Sequence, residues 1–168
     1  MALFGTDGIR GLANRELTAE IAPDVSVAAA HIYPNRNVLI VDAGTCIKYD
    51  FVNSQRQYLG GSISPGFQMR FDAMHHFTDK LPHIKAQSYS DIGIDTASSM
   101  RSGVFLGIIY EINGFITDYT EQQDLDHVIL TGGDASHFAN ELNFPIFAEP
   151  DLTGIGLNEI LSFNQDSP

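Results

Sequence analysis

The stretch Asn37–Gly66, NVLIVDAGTCIKYDFVNSQRQYLGGSISPG, leaves this chain little freedom in how it folds. Val38-Leu39-Ile40-Val41 is short, apolar and β-branched, the composition of a buried strand. It ends in Asp42-Ala43-Gly44-Thr45. Cys46 to Val52 reads as a strand returning antiparallel to the first. Gln57 to Ile63 reads as a third strand, carrying Gly60-Gly61 and leading into Ser64-Pro65-Gly66. A strand–turn–strand with Asp-x-Gly-Thr at the turn can cradle a phosphate and a cation. The glycine admits backbone amides to an anion, the hydroxyl donates a hydrogen bond, and the carboxylate holds the cation. An ordinary hairpin turn uses the same residue types, so the turn by itself leaves both readings open.

Ahead of this stretch, residues 1–24 carry glycines at 5, 8 and 11 with Asp7 and Arg10, a loop signal rather than a helix. A short helix capped by Thr18 is cut off by Pro23. Val25 to Ile32 is alanine-rich and expected to be helical, broken by Tyr33-Pro34-Asn35. After Gly66, Phe67 to Phe77 has apolar residues at 67, 71, 74 and 77, an amphipathic helix. Residues 83–94 read as a polar loop. Asp95 or Thr96 then caps the longest helix, expected to reach about Tyr119. Ser99, Gly103 and Gly107 form a small-residue row along it, the mark of a backbone packed closely there, within the domain or across a dimer interface.

His127 to Leu130 is another buried strand, running into Thr131-Gly132-Gly133-Asp134. A helix over Ala135–Leu142, an edge strand over Pro145–Ala148 and a helix over Leu152–Phe163 complete the order. The sum is an α/β layer arrangement led by a three-stranded meander. Residues 25–164 form one domain, and residues 1–24 are a segment of undetermined structure.

A chain of 168 residues supports one well-cored domain. A net charge of −12 argues against general affinity for nucleic acid. It leaves room for a phosphorylated ligand held by amides and a cation. One cysteine, Cys46, excludes an internal disulfide and fits a reducing, cytoplasmic setting. No run has the length of a membrane span, and no signal peptide is seen at the N-terminus.

Two glycine-bearing turns each follow a buried strand, at 42–45 and 131–133, and two such turns in one small domain point to a nucleotide phosphate site. Neither has the form of a Gly-Lys-Ser/Thr loop or a full G-x-G-x-x-G. The six histidines lack the spacing of a metal site. Cys46 reads as a small buried thiol. Asp50 is either a neighbour of Asp42 across the hairpin or a surface-facing strand carboxylate. Thr78 binds a ligand or closes a helix end by hydrogen bonding.

Five segments in order, DAGTCIKYDFV (42–52), YLGGSISPGFQMRFDAMHHFTDKLP (58–82), SGVFLGIIYEINGFI (102–116), TGGDA (131–135) and DLTGIGLNEIL (151–161), resemble the type III pantothenate kinases over about residues 25–164. The resemblance implies an RNase H-like, actin/hexokinase-type fold. It also implies a dimer that uses ATP, Mg2+ and a monovalent cation such as K+ to phosphorylate pantothenate, the first step of coenzyme A synthesis. By position, Asp42 would hold the monovalent cation, and Gly44 and Thr45 would face the ATP phosphates. Gly132 and Gly133 would lie near the nucleotide. Gly60, Gly61 and Gly66 would shape the active-site loops, Gly61 beside the substrate. Thr78 would contact pantothenate across the dimer, and Asp24 would stand at the place of the catalytic base.

The chain departs from that pattern in three ways. Nothing in residues 1–24 matches the family's N-terminal domain, Ala22-Pro23-Asp24-Val25 replaces its Gly-x-Asp-Arg, and Lys48 stands where threonine is common. Residues 3–20, LFGTDGIRGLANRELTAE, are instead similar to the N-terminus of phosphoglucosamine mutases. The expectation is weak or no turnover by these residues alone. The alternative is a non-catalytic, dimerising RNase H-like fragment that keeps a nucleotide or cation site.

Overall fold

A computed structural model describes residues 4–5, 8–9, 29, 32–89, 91–148, 152 and 154–155. Two two-residue strands, β1 (Phe4–Gly5) and β2 (Gly8–Ile9), pair antiparallel near the N-terminus. The main sheet holds β3 (Val38–Ala43), β4 (Cys46–Val52), β5 (Tyr58–Pro65), β6 (His127–Thr131) and β7 (Ile146–Ala148). Its strand order is β5-β4-β3-β6-β7. β3, β4 and β5 form the expected antiparallel meander, whereas β6 runs parallel to β3 and β7 parallel to β6. β5 extends to Pro65, beyond the expected end at Ile63. It is an edge strand, where a missing N–H costs the ladder nothing.

β3 is central, so both of its faces are covered, and alternation divides its side chains between two cores. Leu39, Val41 and Ala43, with Ile47, Tyr49 and Phe51 of β4, face helices α1 (Phe67–His76) and α2 (Thr96–Gln123). Val38 and Ile40, with Val52, Tyr58 and Ile129, pack on the opposite side against Ala29 and Leu152. Ala29 and Ile32 are helical, as expected of Val25–Ile32. Leu152, Gly154 and Ile155 are helical too, and the remainder of the expected last helix lies outside the described residues, as does the short helix expected near Thr18.

Asp95 caps α2: its Oδ1 accepts from the Ser98 amide at 2.8 Å, and Ser98 Oγ accepts from the Asp95 amide at 3.1 Å. The helix runs past Tyr119 because nothing breaks it until Asp124, which adopts the left-handed conformation at φ 50°. The Asn37 side-chain amide then donates to the Gln123 and Asp124 carbonyls, tying this helix end to the start of β3. The helix expected over 135–142 resolves into α3 (Ala135–Phe138) and a 3-10 turn, Ala139–Glu141. Along α2, a Cβ on Gly103 would meet nothing within 4 Å, and one on Gly107 only Arg70 Nη1 at 4.0 Å. Gly93 approaches the Ser99 end of the row closely, whereas no backbone of the described chain packs on Gly103 or Gly107.

A polar knot joins the two helices to the sheet. Glu111 Oε1 of α2 accepts from Tyr49 Oη at 2.8 Å and Ser64 Oγ at 2.5 Å, while Oε2 accepts from Arg70 Nη2 at 2.6 Å. Burial opposes the charge on Glu111, but these three hydrogen bonds and the Arg70 charge outweigh it and hold its pKa below the ordinary glutamate value. A depressed carboxylate contributes stability that is complete above its unfolded pKa and lost as pH falls through the folded one. Glu111→Gln is therefore expected to lose about 1–3 kcal/mol near neutral pH. The gap from wild type closes on acidification, which urea unfolding from about pH 7 to about pH 3 checks.

Candidate functional site

β3 and β6 lie side by side and parallel, with Asp42 opposite Thr131, so their carboxyl ends release two turns together. The turns are laced. The Asp134 amide donates to the Ala43 carbonyl at 2.9 Å, and the Ala135 amide to the Gly132 carbonyl at 3.1 Å. Gly132 has φ +94°, and a Cβ on it would run into the Ala43 carbonyl and come within 2.6 Å of Asp42 Oδ1. Only glycine fits there.

A third segment meets the same place. The Gly66 amide donates to the Thr45 carbonyl at 3.1 Å, and a Cβ on Gly66 would strike the Gly44 and Thr45 carbonyls. This contact sets the N-terminus of α1 against the Asp-Ala-Gly-Thr turn. The three segments enclose a cavity of about 600 Å³ lined by Gly44, Thr45, Gln68, Met69, Asp72, Gly133 and Asp134.

Three of the residues expected at the nucleotide, Gly44, Thr45 and Gly133, thus share one cavity, with Gly132 and Asp42 packed together beside it. Gly44 contributes differently from the expectation. Its amide donates to the Cys46 carbonyl at 3.1 Å, so Gly44 shapes the turn while Thr45 is exposed at the cavity. Gly61 is not among the lining residues. It sits in β5 opposite Asp50, where a Cβ would collide with the Tyr49 carbonyl, so it lets two strands approach. Gly60, at φ +96°, lies beside a register shift in the same pairing. Thr78 follows the far end of α1, about 9 Å along the chain axis from Asp72, the last α1 residue lining the cavity. Its hydroxyl donates to the Met74 carbonyl at 2.7 Å and accepts from the Leu81 amide at 3.4 Å. Asp24 lies outside the described residues.

The sequence reading missed the N-terminus of α1. Gly66 is its N-cap, has no side chain to bond the first-turn amides, and is followed by no acidic residue in that turn. Those donors are left open beside Gln68 and Met69, at the positive end of the helix dipole. Pro65-Gly66 before an amphipathic run, with Ser, Thr, Asp and Asn all missing at the cap, was the available signal.

Charge around the cavity is mostly acidic and largely engaged. Asp72 Oδ1 accepts from Gln68 Nε2 at 2.8 Å and meets His83 Nε2 at 2.9 Å, which together hold its carboxyl below the ordinary range. Asp42 Oδ2 meets Lys48 Nζ at 2.6 Å, across the β3–β4 pair in which these residues stand opposite each other. The carboxylate expected to hold K+ therefore already has a cation from its own chain. Burial works against the Lys48 charge, but the hydrogen bond and charge of Asp42, then Asp50 and Cys46, carry its pKa above the ordinary lysine value. Asp50 is buried rather than surface-facing. Its Oδ1 accepts from Tyr58 Oη at 2.8 Å, and its Oδ2 has no hydrogen-bond partner among the described residues. Burial raises its pKa, against the pull of Tyr58 and Lys48. Among the described residues, no three His, Cys, Asp or Glu side chains converge as a metal site.

A meander leading into parallel strands, with helical segments on both faces of the sheet, defines an RNase H-like domain of the actin/hexokinase type. A solved structure from Campylobacter jejuni, of a conserved protein assigned to the Baf family of transcriptional activators, shares it. That structure superposes with a TM-score of 0.59 at 26% identity, covering 85% of this chain and 65% of the other. The chain belongs to the type III pantothenate kinase family, which it matches over residues 24–118. The type III pantothenate kinase of Cytophaga hutchinsonii is 46% identical over 140 residues, and that of Bacteroides fragilis strain YCH46 is 47% identical over 141. In both cases 83% of this chain is covered, and it spans 60% and 58% of the relatives' own lengths. Residues 3–20, with their mutase-like sequence, fall outside the segment matched to the family.

Proposed function

We propose that this chain takes part in the ATP-dependent phosphorylation of pantothenate to 4'-phosphopantothenate, and that the cavity at 42–45, 66–69 and 132–134 receives the ATP phosphates. The observation that carries this reading is the convergence of two strand-end turns and an uncapped helix N-terminus on one cavity. Thr45 donates its hydroxyl to phosphate oxygens, and the first-turn amides of α1 add donors aimed at an anion. In transfer, the pantothenate hydroxyl oxygen forms a bond to the γ-phosphorus as the bond to the β–γ bridging oxygen breaks and ADP departs. The hydroxyl proton goes to a carboxylate, for which Asp24 is the candidate by position. Mg2+ bound to the nucleotide would neutralise phosphate charge. Asp134 and Asp72 line the cavity, and one or two carboxylates suit a metal that takes its remaining ligands from phosphates and water.

Thr78 belongs to a different surface. Its partners Met74 and Leu81 line a groove of about 580 Å³ with Arg70, Ser99 and Gly103, the last of them an open position of the small-residue row. A second copy packed on that row would bring Thr78 to a shared pantothenate pocket, which is the support for a homodimer. The proposed site of action is cytoplasmic; separately, among the described residues no helix is long and apolar enough to cross a membrane.

Calorimetric titration of the purified chain with Mg-ATP tests the nucleotide reading. Binding at millimolar ATP or below is expected, weakened about tenfold or more by Thr45→Ala, the worth of one hydrogen bond to a charged group. No heat at millimolar ATP overturns it. Turnover of pantothenate is expected to be weak or nil for these residues alone. The open row on α2 favours the second reading, a non-catalytic dimerising fragment, if light scattering gives a dimer mass and ATP binds without turnover.

A further inference from the structure

Resting on the reading of the Asp42 turn as a phosphate-and-cation site, we infer that Lys48 is the resident cation of that site, so that no monovalent metal ion is taken up beside Asp42. The register makes the pairing unavoidable. Asp42 and Lys48 are directly opposed across β3 and β4, a spacing of about 5 Å between Cβ atoms that a lysine stem spans with ease. The ammonium sits 2.6 Å from Oδ2, and Oδ1 lies so near Gly132 that a Cβ there would come within 2.6 Å of it, so the carboxylate already holds a cation in a narrow space.

A second observation points the same way. Asp50 lies two residues along β4 from Lys48, on the same face, 94% buried with one oxygen unpartnered. Two carboxylates flank a single ammonium, and its charge bears on both. A free ion entering here would have to displace a covalently tethered one from an Asp42 side chain that is only 16% exposed. A tethered ammonium supplies unit charge at fixed local concentration, independent of the ionic composition of the solution.

Thermal unfolding in KCl and in N-methyl-D-glucamine chloride at equal ionic strength tests this without any nucleotide. Wild type is expected to melt at the same temperature in both, within about 1 °C, which corresponds to a negligible difference in binding. Lys48→Thr removes the ammonium and leaves Asp42 uncompensated, so its melting temperature should rise with KCl and not with the bulky cation. Lys48→Arg keeps the charge and should be indifferent to the choice of salt, which secures the reading if the threonine variant folds in neither. Selective stabilisation of wild type by K+ overturns the inference, as does a folded Lys48→Thr indifferent to both salts. ATP titration in the same two salts separates the two proposals. Absence of ATP binding in every salt counts against the nucleotide site alone, since the melting experiment decides the cation question by itself.

Discussion

Gly132→Ala is expected to destabilise the chain by about 3 kcal/mol or more and to abolish ATP binding. Two costs add at this position. The backbone at φ +94° penalises any Cβ by about 1–2 kcal/mol. The added methyl would also strike the Ala43 carbonyl and the Asp42 carboxylate, which are backbone and a tethered ion pair rather than a flexible side-chain tip. Relief requires β3 and β6 to part at their carboxyl ends, where the Asp134 amide is bonded to Ala43. Gly133→Ala is the control. Its Cβ would meet nothing within 4 Å and its φ is not positive, so stability should change by under about 0.5 kcal/mol. Urea unfolding of the two variants checks this, and equal destabilisation of both would contradict the close approach described for Gly132.

Phe67→Ala is expected to cost about 3–5 kcal/mol, the usual range for deleting a buried aromatic side chain. Phe67 is 1% exposed and its ring contacts Phe71, Phe105 and Phe138, with centroids 5.9, 6.0 and 5.3 Å away. It is also the first residue of α1, immediately after the Gly66 that is bonded to Thr45. Removing the ring therefore loosens the helix end that borders the cavity. The checkable consequence is a loss of ATP affinity in molecules that remain folded, measured well below the unfolding midpoint. Phe71→Ala, buried in the same cluster one turn further on, should match it in stability and leave ATP affinity closer to wild type.

How far the sequence announced these features depended on the kind of signal. Val38–Val41 and His127–Leu130 stood out because buried strands are continuous apolar runs, and both occur where expected. The periodicity of Phe67–Phe77 and the Asp95 cap located α1 and α2 to within a few residues. Parallel pairing of β6 with β3 was harder to read, since it joins residues about ninety positions apart with no local pattern to mark it. Asp50 shows why burial of a charge resists sequence reading. Its alternation with Lys48 and Cys46 looks like a solvent face, yet Tyr58 and the distant segments that supply Ala29 and Leu152 cover that side of the sheet. The open N-terminus of α1 was easy to overlook for another reason: its signal is negative, the lack of a capping side chain at Gly66.

The alternation of β3 has one more consequence. Asp42 and Lys48 face one side of the sheet, whereas Val41, Ala43, Ile47 and Tyr49, their immediate neighbours, fill the core on the other. Sliding β3 against β4 by a single residue would turn Asp42 toward the core of Phe67, Phe105 and Phe138, part it from Lys48, and send Val41 and Ala43 to the other face. No such isomer could collapse. Folding thus acts as its own inspection step: a molecule that has buried its core correctly has, by the same parity, already set its charged pair and both strand-end turns in place.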